Sequence, residues 1–273
     1  MYADLHIHCN ASDGILNPEE IVNLALQKGL SVISITDHDT TEGIERALDA
    51  AGGTGLEVIP GIELNADWEE AEVHILGYYL DYNFQPFLDA LCEIRRARER
   101  RAKLMIAKLA KTGVDLSCEQ VKRIAGKATI CRPHIARAMM EKGYVNSIND
   151  AFERYLSPGK PGYVPREKLD PFTAITMIER AKGIPVLAHP ALSKRDDLIP
   201  AFVKKGLLGI EVYYPLHKPE MVEKYMWFCR KYGLVPTGGT DFHGPGTAYP
   251  SLGEVDVPKK SVENLKLLRS FLV

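Results

Sequence analysis

Six of the eight histidines of this chain stand in short patterns that close apolar runs: His6 and His8 in ADLHIH, His38 in ITDHDT, His74 in EVHILGYY, His189 in VLAHP and His243 in TDFH. Alternate residues of a strand point to the same side, so His6 and His8 reach one point while Ile7 faces away. Asp241 and His243 repeat that spacing near the other end of the chain. Imidazole and carboxylate without thiolate suit zinc, manganese or iron, and an open catalytic site rather than a closed structural zinc site. The pattern predicts a polynuclear metal centre and, with it, a metal-dependent hydrolase.

The elements that must position these residues alternate as strand and helix. YADLHIH is followed by a helix opened by Asn17 and Pro18, with Glu19 and Glu20 in its first turn. SVISI, LEVIPGIEL, EVHILGYYL, IPVLAHP, LGIEVYY and LVPTGGTDFH read as further strands, most of them separated by amphipathic helices. Such units predict an α/β fold with a parallel sheet, closed or nearly closed into a barrel. Active sites of such barrels lie at the carboxyl ends of the strands. Each selected histidine or acid falls at or just after an expected strand end, save His6, one pleat inside. Between residues 84 and 166 the alternation stops, and FLDALCEIRRARERRAKLMIAKLAKTG, EQVKRIAG, RPHIARAMMEKG and INDAFERYL predict an all-helical insertion between barrel parts 1–83 and 167–273.

Bulk properties narrow the function further. A formal charge of -2 over 273 residues provides no strong overall field for nucleic acid, so phosphate recognition must be local. Five scattered cysteines without a CxxC pair predict reduced thiols rather than a disulfide framework. Met1 leads into a strand, and no spanning apolar stretch is evident, so the expectation is a cytoplasmic protein that does not enter a membrane.

HIHCNASDG, ITDHDT, GIELNA, VHILGYY, VLAHP and GTDFH, in this order, together resemble the PHP (polymerase and histidinol phosphatase) family. The resemblance implies a distorted (β/α)7 PHP barrel that hydrolyses phosphoesters with two or three divalent ions, manganese first, zinc or iron as alternatives. It implies His6, His8, Glu63 and Asp241 as ligands of a first ion, and Glu63, His74 and His189 of a second. Asp13, His38 and His243 would hold a third. Glu63, Asp13 and His243 thereby become the catalytic candidates. A lone histidine at a strand end is usually a hydrogen-bonded structural residue, but so many ionisable groups facing one point without a cation would be costly.

The CRPHIARAM block is most similar to the branch of the family that includes nucleoside 3′,5′-bisphosphate phosphatases, some of which also trim short RNA from the 5′ end. Arg132 and His134 in that block, Lys160 in SPGKPGY and His217 in YYPLHKPE are the substrate-binding candidates. A guanidinium at a helix start suits a phosphate. The expected reaction is removal of the 3′-phosphate from a nucleoside 3′,5′-bisphosphate by metal-activated hydroxide. The alternatives are 5′-3′ exonuclease action on short RNA, histidinol-phosphate hydrolysis, and a non-catalytic binding module. Asp4, on the face of His6 and His8, reads as an orienting carboxylate for an imidazole; Asp37 and Asp39 read as supports around the ligands or as turn and helix caps. The run EIRRARERRAKL, with its interspersed glutamates, reads as a solvated helix face, an RNA path being the alternative.

Overall fold

Short runs of apolar residues and capped amphipathic segments alternate along this chain as strand and helix. In the computed structural model, which describes residues 2–126, 130–165, 169–247 and 249–272, the first elements are β1 (Ala3–Ile7), α1 (Pro18–Gln27), β2 (Val32–Ile35), α2 (Ile44–Ala51), β3 (Glu57–Trp68) and β4 (Ala71–Tyr78). Helices α3 (Gln85–Ala110), α4 (Cys118–Ala125), α5 (Arg132–Glu141) and α6 (Ile148–Ala151) follow. The chain then runs through α7 (Pro171–Arg180), β5 (Ile184–Leu187), α8 (Pro190–Ser193), α9 (Ile199–Lys205), β6 (Gly209–Tyr213), α10 (Pro219–Tyr232), β7 (Val235–Gly238) and α11 (Lys259–Leu272). Local chemistry explains the starts. Asn17 accepts the Glu20 N–H and Glu20 accepts the Asn17 N–H, a reciprocal cap beside Pro18 at the first helical position of α1.

Among the described residues, seven strands form one sheet in sequence order. The expectation of a parallel sheet is corrected here, because β3 pairs with β4 and β4 with β5 antiparallel, while the other neighbours are parallel. The cause is a tight hairpin at Glu69 and Glu70 that folds β4 directly back on β3, with Glu69 at φ 54°. The rule of strand ends is corrected with it. Glu63 and His74 lie within β3 and β4, not at their carboxyl ends. They still come to the right level: β3 pairs with β2 only from Glu57 to Pro60, so Glu63 lies beyond the end of β2, where it bridges His38.

The two edges of the sheet approach each other. Ile7 and Phe242 form a parallel bridge, and the His8 N–H donates to the Phe242 carbonyl at 2.8 Å. Tyr78 on β4 donates its hydroxyl to the Leu5 carbonyl on β1 at 2.9 Å, although these strands are not neighbours. That contact requires a sheet curled into a nearly closed barrel. α10 packs on β6 and β7, and α11 on β5 and β7. Leu5, Val32, Ile59, Val186, Val262 and Leu265 share one buried cluster that ties strands to α11.

The chain divides into two compact units, residues 1–88 with 168–273, and residues 89–167. The first contains the barrel. The second is helical, with Met105, Leu109, Val121, Ile135, Met139 and Leu156 in its own buried core. There α6 passes into one π-helical turn, Phe152–Leu156. The expected end of the insertion at Arg166 lies outside the described residues.

Candidate metal centre

Glu63 stands at the centre of the barrel's polar cluster, fully buried. Its Oε1 lies 2.9 Å from His74 Nδ1 and 3.0 Å from His189 Nε2. Its Oε2 lies 2.9 Å from His38 Nδ1 and 3.3 Å from Nε2 of both His6 and His8. Asp241 Oδ1 completes the arrangement around the first pair, 3.4 Å from His6 Nε2 and 3.1 Å from His8 Nε2. On the other side, Asp13 Oδ1 lies 3.3 Å from His243 Nε2, and Asp13 also stands 3.9 Å from His8 Nδ1 and from His38 Nε2. All nine ligand candidates of the sequence therefore meet in one place.

The donor chemistry fits divalent cations. Among the described residues, nine buried side-chain nitrogen or oxygen atoms have no hydrogen-bond partner: His217 Nε2 and eight atoms of His6, His8, Asp13, His38, Glu63, His74 and His243. Buried polar atoms left unpaired are costly. All but that of His217 belong to residues that gather in three sets whose ligand atoms lie within 4.8 Å of one another: His6, His8, Glu63 and Asp241; His8, Asp13, His38 and His243; His38, Glu63 and His74. Cations placed among these lone pairs satisfy them together.

Backbone and neighbouring side chains hold the donors in place. The loop after β1 returns so closely that a Cβ on Gly14 would come 2.3 Å from the His8 carbonyl oxygen, which is why glycine follows Asp13. Asp37 accepts from the Cys9 N–H at 2.8 Å and the Ser12 hydroxyl at 2.5 Å, fastening the same loop. Cys9 turns its thiol onto Asp37 at 2.7 Å, and burial followed by the Asp37 charge pushes that thiol up, away from nucleophilic use. Asp39 accepts the Asn65 N–H at 3.0 Å and ties the turn to β3, while Thr40 Oγ1 accepts the Glu42 N–H at 3.3 Å just ahead of α2. Asp4 is corrected too. Its carboxylate touches no imidazole ring: it accepts the Thr240 N–H and hydroxyl, the Gly253 N–H and, at 3.4 Å, the His6 N–H. His189 and Asp241 both take positive φ, 22° and 55°, a strained main chain that recurs at functional sites.

Three residues of the site escaped the sequence reading. Glu211, buried on β6, contacts His6 and His189. Tyr214 donates to Asp241 Oδ2 at 3.1 Å, and Tyr249 lies flat on His243 with ring centroids 3.8 Å apart. An acidic residue inside the apolar run LGIEVYY was the available signal for Glu211; nothing local marks the two tyrosines.

The substrate candidates are placed differently. His217 is buried in the barrel unit, its Nδ1 2.9 Å from the Val212 carbonyl and its ring 5.3 Å from that of Tyr214. Arg132, His134 and Lys160 belong to the helical unit. Arg132 opens α5 with its guanidinium 5.3 Å from the Phe152 ring centre, and His134 Nδ1 accepts the Cys131 N–H at 2.9 Å as part of the helix cap. Lys160 is exposed in a turn whose N–H donates to the Ser157 carbonyl. A cavity of about 590 Å³ opens beside His74 and His189, between the β3–β4 hairpin and Leu192, Lys194 and Arg195.

Charge in the cluster is strongly mutual. Burial opposes ionisation of Glu63, yet His38, His6 and His74 hold its carboxyl well below the usual range. Burial likewise opposes charge on Asp13 and Asp241, and the neighbouring rings hold both low. Burial disfavours a charged His8, but hydrogen bonds and charge from Asp241 and Glu63 push it up to about 10. Without metal, then, His8 retains a proton at neutral pH that ligation must displace. Chelator-treated protein titrated with Mn²⁺ is expected to release protons, and affinity is expected to fall with each step of pH below about 10, neutral pH included. Calorimetry in buffers of different ionisation enthalpy measures this; pH-independent binding without proton release would contradict it.

The chain belongs to the PHP domain family, whose sequence model matches residues 4–164. It is a metal-dependent phosphoesterase, a hydrolase of phosphoric esters, and its cofactors are divalent metal ions. The 5′-3′ exoribonuclease Rnm of Escherichia coli (strain K12) is 34% identical over 249 residues, spanning 89% of this chain and 85% of the relative. The 3′,5′-nucleoside bisphosphate phosphatase of Chromobacterium violaceum is 32% identical over 93% of this chain and 91% of its own. Also 32% identical is a phosphoribosyl 1,2-cyclic phosphate 1,2-diphosphodiesterase of Eggerthella lenta, over 93% and 98%. A Bifidobacterium adolescentis structure ascribed to the metal-dependent phosphoesterases superposes with a TM-score of 0.89 at 31% identity, covering 98% of this chain and 96% of that one. Among the described residues, no helix is long and apolar enough to cross a membrane.

Proposed function

We propose that this phosphoesterase removes the 3′-phosphate from nucleoside 3′,5′-bisphosphates. The observation that carries the reading is the cluster of six histidines and three carboxylates around Glu63 beside a nucleotide-sized cavity, in a chain similar over nearly its full length to a bisphosphate phosphatase. His6, His8, Glu63 and Asp241 would hold the first ion, Glu63, His74 and His189 the second, and Asp13, His38 and His243 the third. A neutral imidazole has one lone pair, so each ring serves one ion. For His243 the choice of atom follows from its partner: Nδ1 donates to the Asp241 carbonyl at 2.7 Å, leaving Nε2 for Asp13's side. Divalent ions, manganese first among them, supply when bound the Lewis acidity that makes water nucleophilic at neutral pH and offsets phosphoryl charge.

The protein's own groups do the remaining work. Glu63 divides its two oxygens between two sets of histidines, which fixes their spacing. Tyr214 restrains Asp241 through one carboxylate oxygen and leaves the other facing His6 and His8. The Val212 carbonyl keeps the proton of His217 on Nδ1, so its Nε2 can accept from a substrate hydroxyl. Arg132, His134 and Lys160 are the phosphate-binding candidates of the helical unit.

A second reading, 5′-3′ trimming of short RNA, draws support from the Escherichia coli relative. The arginine run of α3 favours the small substrate: Arg96 and Arg100 pair with Glu93, and Arg101 donates to the Val164 carbonyl, so much of its charge is engaged within its own unit. Phosphate release by manganese-loaded protein from adenosine 3′,5′-bisphosphate and histidinol phosphate, with chromatography of the nucleotides freed from a 5′-phosphorylated RNA oligomer and of the monoester formed from a ribosyl cyclic phosphate, decides. The bisphosphate is expected to be preferred by at least about tenfold in kcat/KM, lost on chelation. An inert bisphosphate with turnover of another substrate overturns the assignment.

A further inference from the structure

Glu211 lies within β6, in the run GIEVY, with no exposed surface. Its Oε1 stands 2.9 Å from His6 Nδ1, and its Oε2 accepts the His189 N–H at 2.7 Å. The Glu211 carboxylate can only accept, so with an ion bound the His6 proton belongs on Nδ1, and the Nε2 lone pair is left for the side of Glu63 and Asp241, 3.3 and 3.4 Å away. The other contact acts on main chain rather than on a ring. His189 turns at φ 22° and ψ 60°, an unfavourable conformation for a residue other than glycine, and that turn brings its Nε2 to 3.0 Å from Glu63. One carboxylate thus restrains a ligand candidate at each of the two positions that Glu63 joins.

We propose that Glu211 is a positioning residue that couples these two ion positions, holding His6 in the tautomer that can ligate and His189 in the turn that aims its ring. The inference rests on the ligand partition given under the proposed function. Its chemical requirement is strict: both neighbours are donors, so two acceptors are needed. Glu211→Gln keeps the shape and supplies one acceptor and one donor. Whichever way the amide turns, either His6 is driven to the wrong tautomer or the His189 N–H meets another N–H.

The test is calorimetric titration of chelator-treated full-length protein with Mn²⁺, together with metal per chain after gel filtration. E211Q is expected to lose affinity at both positions by about 10–100-fold, the range typical of an outer partner of a metal ligand. Nitrogen spectra of ¹⁵N-histidine in the zinc-loaded protein provide a readout that general loosening would not move: the His6 proton is expected on Nδ1 in the wild type and displaced or lost in E211Q. Should E211Q not fold, Glu211→Asp carries the test, since it keeps two acceptors on a shorter arm; weaker binding at both positions with the His6 proton still on Nδ1 is expected. Wild-type affinity in either folded variant overturns the inference alone. A wild-type protein that takes up no divalent ion overturns the metal-centre reading and this inference with it.

Discussion

Glu63→Gln is expected to lower phosphoester turnover and metal content together, kcat/KM falling by more than about 10²-fold. Loss of an outer partner of a metal ligand typically costs 10–100-fold, and Glu63 is closer in than that. Five histidine nitrogens lie within 3.3 Å of its two oxygens. An amide in its place turns a donor toward one group of rings and removes the negative charge that all of them share. Metal per chain and steady-state kinetics on a phosphomonoester check the result in parallel. Full metal content with normal turnover would sink the bridging assignment; full metal with lost turnover would confine Glu63 to the chemical step.

Much of this centre was legible because its donors sit in local patterns tied to strand geometry. The spacing of His6 and His8 reports a shared direction that survives folding intact, with their rings 5.1 Å apart. The insertion's helical segments were readable from their pattern, whereas the reciprocal cap of Ser117 and Gln120 on α4 emerges from the structure. What stayed hidden depends on partners remote in sequence. Asp4 shares a strand face with His6, which suggested an imidazole partner, yet its acceptors are claimed by amides at Thr240 and Gly253. The direction of β4 was also concealed, since the Glu69–Glu70 hairpin lacks the Asn-Gly or Asp-Gly signal that announces tight turns.

The reversed strand direction still brings the ligand candidates together for a physical reason. Reversing β4 brings the start of that strand, instead of its end, to the level where the parallel strands finish. His74, in register with Asn65, consequently arrives beside Glu63 and His189. A hairpin of overshooting strands supplies what a βα loop supplies elsewhere in the barrel. Rigid strand backbone, rather than loop, therefore positions both Glu63 and His74, and the donors needing special main-chain geometry are those that follow β5 and β7, His189 and Asp241.

Gly239→Ala is expected to destabilise the metal-free protein by about 3 kcal/mol or more, or to prevent folding, although the change adds one methyl group. A Cβ at this position would meet the His6 nitrogen at 2.4 Å, its Cβ at 2.5 Å and its Cα at 2.9 Å. Two of those three atoms are main chain, so no rotamer change relieves the overlap. The backbones cannot easily part, because Asp4 fastens β1 to Thr240 next door and the His8 N–H is bonded to Phe242 just beyond. Any separation at Gly239 also draws Asp241 away from His6 and His8, whose facing atoms now lie 3.1–3.4 Å from it. Urea unfolding after chelation measures the stability, and Mn²⁺ titration of the folded fraction measures the ligands; both are expected to weaken. Wild-type values in the two measurements would mean that the ends of β1 and β7 can separate without disturbing the first-ion ligands, and that barrel closure and metal binding are not linked.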